Sequence, residues 1–481
     1  MGIGDPPTTP HSDRTSRPWR LLASERARPE RIRRRPDAWR LAVLTVCFGA
    51  FMGQLDASIV TLTYPALGAE FHAPLAAVQW VSLSYLLTLV ALLVPVGRFS
   101  DARGRKLMYL YGFALFTAAS AACGLAPGLV ALIAFRVLQA VGAALLQANS
   151  VALVTTSAPR ERMRGALGMQ AAGQAIGLAL GPTVGGVLVA TVGWRWVFGI
   201  NVPVGIVAMV AGHYLLPRTR HRAEGARTDP AGVLLLGGAT TAGLLALSAA
   251  SGLRLPDWSI GALAAVAVAA GALFVRRQLR LRRPMVDLRL LAAERIGSGL
   301  LGALCGYLVL FGPLVLVPVE FDRLHLPVLV SGAVLTALPF GFALAATLGD
   351  RALPTRWDDR RRAWAGALGC AAALALMAAL PATPTVLPVL LALLGIALGV
   401  FTPANNTLVM SAVPAASAGT GGGLVNMARG LGTALGVAAV TLALHLAGQG
   451  SAADRVAVLV LLAVSLVAVL TALPQGRRRN G

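Results

Sequence analysis

The chain alternates between long apolar runs and short polar, mostly basic segments, and it does so fourteen times. Each run is continuously apolar over about 20 positions, the length a helix needs to cross roughly 30 Å of hydrocarbon. The runs fall at 41–64, 76–97, 107–125, 128–151, 165–190, 196–216, 231–252, 259–275, 296–318, 328–349, 363–380, 385–410, 419–446 and 455–473. Strands of a membrane barrel would instead alternate polar and apolar positions over about ten residues. The pattern therefore predicts an all-α integral membrane protein with fourteen transmembrane helices. Residues 1–38 carry Arg, Pro and Ser without apolar periodicity and read as a disordered basic cytoplasmic tail that lies on anionic lipid; 475–481 form a second basic tail. The first apolar run is too long for a secretory signal core, and no small-residue cleavage site closes it.

Composition agrees with this class. Hydrophobic residues make up 56% and charged residues 13% of the chain, too few charges to hydrate the surface of a soluble domain. The net charge of +22 raises the question of nucleic-acid binding, and its distribution answers it. Of 42 Lys and Arg residues, 36 lie in the tails and in every second loop, whereas the alternate loops hold only Arg195, Arg254, Arg323 and Arg455. The positive-inside rule then places both termini in the cytoplasm, with the chain in the cell inner (plasma) membrane and the lipid bilayer, not nucleic acid, as its partner. Cys47, Cys123, Cys305 and Cys370 all fall within apolar runs without a Cys-x-x-Cys, so neither a disulfide framework nor a metal site is expected. Lys106 is the only lysine and Leu107 follows it, which excludes a Gly-x-x-x-x-Gly-Lys-Ser/Thr phosphate loop. The six histidines form no His-Glu-x-x-His. No cofactor is expected, and an ion gradient, rather than ATP hydrolysed at a phosphate loop of this chain, is left to drive any active transport.

The two halves of the chain are related. Residues 168–181 (GMQAAGQAIGLALG) align without gaps to 423–436 (GLVNMARGLGTALG) at an offset of 255, matching Gly168 to Gly423, Gly177 to Gly432, Ala179 to Ala434, Leu180 to Leu435 and Gly181 to Gly436. A duplication of this kind predicts two six-helix bundles, 39–217 and 291–474, with a site between them near the bilayer midplane and an inserted two-helix hairpin in 218–290. The segment 349–362, with Gly349, Asp350, Arg351 and Arg360 to Arg362, is then a degenerate counterpart of the basic turn at 97–106.

Six groups of residues carry candidate chemistry. Gly97-Arg98-Phe99-Ser100-Asp101-Ala102-Arg103-Gly104-Arg105-Lys106 is a tight turn in which Gly97 and Gly104 permit the bend, Asp101 can meet a helix N-terminus or an arginine, and Arg98, Arg105 and Lys106 can reach carboxylates or lipid phosphates. Asp56 is the only acid deep within an apolar run; a charge there costs about 2.5–3.5 kcal/mol on insertion scales, so it should face a cavity and be protonatable, the alternative being a buried structural carboxylate paired with an arginine. Arg136, always charged, needs a partner inside the bundle, and a first-helix acid or Gln139 can supply one. Gly173, Gly177, Gly181 and Gly185 stand four apart beside Pro182 and Gly186, a smooth helix face that lets a neighbouring backbone approach. Trp194 to Gly205 begins as an aromatic belt at the outer interface. Arg429 is a second intramembrane cation with three readings: an anchor for an anionic substrate group, a partner of Asp56 across the halves, or a tether for helix 13. With Gln139, Asn405, Asn406 and Asn426 it forms a candidate substrate cavity, although each asparagine can equally join helices.

The turn Gly-x-x-x-Asp-x-x-Gly-Arg-Lys at 97–106 resembles the signature loop between helices 2 and 3 of the major facilitator superfamily. The stretch Leu55 to Pro65 is similar to the first-helix motif of its fourteen-helix drug/proton antiporters, departing at Ser58, Thr61 and Tyr64, which bears on the substrate more than on the proton. Arg136 to Ala144 resembles the fourth-helix Arg-x-x-Gln-Gly-x-Gly motif with Ala140 in place of a glycine, and Gly173 to Gly186 resembles the fifth-helix motif of exporters. The resemblance implies a major facilitator fold, proton coupling through Asp56 and Arg136, a cytoplasmic latch at 97–106, and proton-driven efflux of small lipophilic drugs or antibiotics by alternating access. With one central acid, neutral or singly charged substrates are expected to be preferred over dications. Uptake by a symporter or facilitator on the same fold, or a non-transporting membrane receptor, are the alternatives. The sequence names neither the compound carried nor an accessory export subunit.

Overall fold

The computed structural model describes residues 25, 28–159, 162–218, 229–281, 284, 288, 294–354, 356–380, 383–413, 418–448 and 450–473. The rest of both basic tails lies outside them; within 28–38 the short helix Glu30–Arg33 precedes the first span. Among the described residues fourteen helices are long and apolar enough to cross a membrane, one for each apolar run. They are α1 (Ala38–Ile59), α2 (Trp80–Arg103), α3 (Arg105–Gly124), α4 (Leu129–Ser157), α5 (Met163–Thr191), α6 (Asn201–Leu215), α7 (Pro230–Ala250), α8 (Trp258–Arg280), α9 (Glu294–Arg323), α10 (Val328–Ala352), α11 (Asp359–Ala379), α12 (Leu387–Ala412), α13 (Ala418–Leu446) and α14 (Ser451–Thr471). The α1 helix runs on through a 3-10 turn, Val60–Thr63, into Tyr64–Phe71. Fourteen crossings bring both ends of the chain to one face, here called the terminal face.

The helices pack as two six-helix bundles with the same internal contacts. In the first, α1 packs on α4, α5 and α6, α4 on α2 and α3, and α3 on α6; in the second, α9 packs on α12, α13 and α14, α12 on α10 and α11, and α11 on α14. Glycines allow the closest of these approaches. A methyl group added at Gly177 of α5 would strike the Phe51 carbonyl of α1, and one at Gly432 of α13 would strike the Leu304 carbonyl of α9. The bundles meet through α5 against α10, α2 against α13, and the Val60–Phe71 extension of α1 against α9. Gly186 lies on Gly332 of α10, and Thr183 shares a hydrogen bond with Thr336, so the first seam is tight at the end away from the terminal face.

Large apolar side chains such as Leu234, Val268, Val389 and Leu470 are exposed on the outer surface. In water such a surface would aggregate; in a bilayer it faces lipid. The hairpin α7–α8 attaches through α7, which packs on both α2 and α13. Ser248 of α7 accepts hydrogen bonds from Gln79 Nε2 (3.0 Å) and Trp80 Nε1 (3.1 Å). At its base Asp229 caps α7 by accepting from the Gly232 amide (2.9 Å) and binds Arg277 (2.9 Å) and Gln278 (3.0 Å) of α8. Burial pushes the Asp229 carboxyl up, and Arg277, the Gly232 amide and Gln278 together outweigh it and hold it below the usual carboxylate range.

Candidate functional site

The charged centre of the first bundle is built by five helices. Asp56, on α1, is fully buried. Its Oδ2 accepts from Arg136 NH1 of α4 at 2.6 Å, and its Oδ1 from Gln139 Nε2 at 3.0 Å and Asn201 Nδ2 of α6 at 3.2 Å. Arg136 is held on its other edges: Nε donates to the Val81 carbonyl of α2 (2.8 Å), and NH1 also reaches Gln139 Oε1 (2.6 Å). The guanidinium lies over the Tyr85 ring, 4.2 Å from its centroid. Gln139 Nε2 donates onward to Ser120 of α3 (2.8 Å). Every polar neighbour of Asp56 in this network donates, so the carboxylate needs no water to satisfy it. The expectation that it faces a cavity is corrected accordingly: Asp56 sits inside the bundle, and Arg136 lines the adjoining hollow with Tyr85, Ser82, Thr61 and Phe311.

Between the bundles lies a polar cavity. Its largest hollow, open along part of its boundary, spans about 450 Å³. Gln54, Gln147, Asn426 and Arg429 line both of its main hollows; Ser150 and Gln174 complete one, and Tyr85, Tyr307, Phe311 and Thr433 the other. Arg429 lies 4.5 Å from the Tyr307 ring centroid, and its NH1 donates to Asn426 Oδ1 (3.3 Å). The idea that Arg429 pairs with Asp56 is overturned, because Arg136 holds that carboxylate. Two other expected cavity residues also lie elsewhere. Gln139 belongs to the Asp56 network, and Asn405 is buried, donating to the Gly299 carbonyl at 2.8 Å to join α12 to α9. Sequence reasoning missed Asn201, which opens α6 beneath Asp56, and the cavity amides Gln54, Gln147 and Gln174. Their signal was an amide within an apolar run, a weaker mark than a charge.

The fifth-helix glycines divide into two faces. Gly173, Gly177, Gly181 and Gly185 press on Cys47, Phe51, Ser58 and Ile59 of α1, the helix that carries Asp56, while Gly186 turns to α10 of the other bundle beside the Pro182 carbonyl. In the signature turn, Gly104 alone separates α2 from α3, at φ 115°, a conformation open to glycine. Lys106 is buried, and its Nζ donates to the His213 and Leu216 carbonyls, both at 2.8 Å, at the C-terminal end of α6, where the helix dipole favours a cation. Gly97 packs at ordinary distance from Ala148, and Arg105 is half-buried. The side chains of Arg98, Asp101, Asp350 and Arg351 and the burial of Gly349 lie outside the described set. Trp196 is exposed, as an aromatic belt requires, whereas Trp194 does not belong to one, because it is buried and donates to Glu70 at 2.6 Å.

The chain matches the Major Facilitator Superfamily over residues 46–437. It is 30% identical over 402 residues to the riboflavin transporter RibZ of Clostridioides difficile (strain 630), covering 83% of this chain and 86% of that one. To the tetracenomycin C resistance and export protein of Streptomyces glaucescens it is 32% identical over 404 residues, covering 82% and 74%. Its fold matches a bacterial homolog of the human lysosomal transporter Spinster, solved in an inward-facing and unoccupied conformation, with a TM-score of 0.62, 16% identity and coverage of 91% and 96%. The fourteen spans fit the fourteen-helix branch, and the relatives are transporters rather than enzymes. The chain therefore belongs to the major facilitator superfamily and is a multi-pass membrane transporter.

Proposed function

We propose that this transporter exports small lipophilic compounds, drugs or antibiotics among them, across the cytoplasmic membrane in exchange for protons. The observation that carries the reading is the buried Asp56–Arg136 pair, placed behind the cavity wall with only Arg136 reaching it. Protonating Asp56 removes the charge that holds the guanidinium, so Arg136 is released toward the cavity and its electrostatics change. In the cycle, Asp56 takes a proton from outside, substrate leaves, the bundles rock, and the proton departs to the cytoplasm before substrate binds again. With both termini cytoplasmic, the tight α5–α10 and α1–α9 contacts close the outer side, leaving the inner side for loading. The fifth-helix glycines, similar to an exporter motif, and the export protein among the relatives support outward transport. At about 2.3 kcal/mol per 100 mV and about 1.4 kcal/mol per pH unit, one proton sustains a substrate gradient of several hundred-fold.

The test is proton movement in reconstituted vesicles on addition of a compound panel, comparing wild type with Asp56→Asn. Substrate-triggered flux that disappears in the variant is expected; equal flux in both removes Asp56 as the carrier, and no flux in either removes antiport.

A further inference from the structure

We propose that the central cavity selects lipophilic monoanions, aromatic carboxylates or acidic phenols, with Arg429 as the anion-binding side chain. The transport half of this rests on the export reading above; the binding half does not.

The argument begins with charge. Among the described residues, Arg429 and Arg136 are the only charged ones that line the three adjoining hollows. Arg136 is neutralised by Asp56, whose two oxygens are occupied by Arg136, Gln139 and Asn201. Among the described residues no carboxylate lies within ion-pair distance of Arg429, whose side-chain partners there are the uncharged Asn426 and Tyr307. A guanidinium stays charged in any surroundings and presents a planar fork of donors that fits a carboxylate. The cavity therefore carries one uncompensated positive charge in a low-dielectric setting, which favours an anion and repels a cation.

The aromatic lining points the same way. An organic cation is usually held over aromatic faces. Here both tyrosines of the cavity already carry a guanidinium: Tyr85 has Arg136 at 4.2 Å and Tyr307 has Arg429 at 4.5 Å. Opposite stand the uncharged amides Gln54, Gln147 and Gln174, suited to hydroxyl and carbonyl groups, and Phe311 and Leu86 offer an apolar wall for a flat body. The duplication sharpens the point, because the offset of 255 pairs Arg429 with Gln174, and both line one hollow. One half of the repeat supplies an amide where the other supplies a fixed charge.

The test uses the full chain in nanodiscs and a panel of one- to four-ring aromatic carboxylates, each with its methyl ester and a matching quaternary ammonium. Binding is read by calorimetry and thermal shift. The acids are expected to bind roughly tenfold tighter than their esters, the scale of one charge-assisted contact. Arg429→Gln should reduce that preference to about threefold or less and Arg429→Lys should retain most of it, with the melting temperature of each ligand-free variant as the control on folding. Esters or cations that equal the acids, a preference that survives Arg429→Gln, or no binding by any acid would overturn the anion site. Proton flux in vesicles separates the two readings. Arg429-dependent acid binding without flux upholds the site and defeats export by antiport; flux driven by cations alone upholds antiport and defeats the site.

Discussion

The two bundles share a skeleton and differ in what they bury. Lys106 at the start of α3 caps the end of α6, and Arg360 at the start of α11 donates to the Leu473 carbonyl (2.9 Å) just past α14, its counterpart. Glu70, ending α1, pairs with Arg195 before α6, and Arg323, ending α9, pairs with Asp454 in α14, so the same tie recurs with its charges exchanged. Even the glycine contacts repeat: Gly112 of α3 lies under the Gly142 carbonyl of α4, and Gly366 of α11 under the Ala397 carbonyl of α12. Carrying those registers to the charged centre, Asp56 corresponds to Val309, Arg136 to Leu391 and Gln139 to Leu394, all buried and apolar in the second bundle. Fold, then, does not require the ion pair. A bundle of this shape packs well without it, a contrast that the proposed proton-coupling role of the Asp56–Arg136 pair would explain.

That comparison can be broken. Arg136→Leu alone strands a buried carboxylate and should cost about 3–5 kcal/mol of stability, read as a lower melting temperature of the detergent-solubilised protein. Asp56→Val combined with Arg136→Leu copies the second bundle; it should recover more than half of that loss while substrate-triggered proton flux stays absent. Equal instability of the double variant would mean that the first bundle depends on the pair for folding.

Smaller changes sharpen the repeat. Gly177→Ala and Gly432→Ala push a methyl into equivalent carbonyls, and each should cost about 1–3 kcal/mol, whereas Gly168→Ala, with open space around it, should be neutral or slightly stabilising in the same melting assay. A large difference between the first two would show that the bundles tolerate separation unequally. Lys106→Met removes two buried charge-assisted bonds and should cost about 1.5–3 kcal/mol; Arg360→Met, which loses one solvent-exposed bond, should stay within about 0.5 kcal/mol. The weakest effect concerns the hairpin. Because Asp229 sits below its unfolded value, its tie to Arg277 is complete above about pH 5 and lost as pH falls through the folded value. Hydrogen exchange in the first turn of α7 should therefore be flat from pH 8 to about 5, apart from intrinsic chemistry, and rise only in stronger acid.

Much of this was legible in the sequence because lipid is a demanding solvent. A span must be continuously apolar, so all fourteen runs stood out, and a charge within one must be used, so Asp56 and Arg136 stood out too. Which way a polar residue faces is set by its neighbours, and there the sequence ran short. Gln139, three residues after Arg136 on the same helix face, was already marked as its partner, yet it was also counted among the cavity residues. Asn405 binds a carbonyl that no local pattern announces. Gln54 and Gln174 carry no charge, so their place in the cavity emerged only when α1 and α5 were set against the second bundle.

One helix gives the molecule a front and a back. Because α7 lies along the α2–α13 seam and touches both bundles, that side is shuttered from lipid, while the α5–α10 seam has no such cover among the described helices. Any rocking of the bundles must therefore slide past α7 on one side and part the Gly186–Gly332 contact on the other.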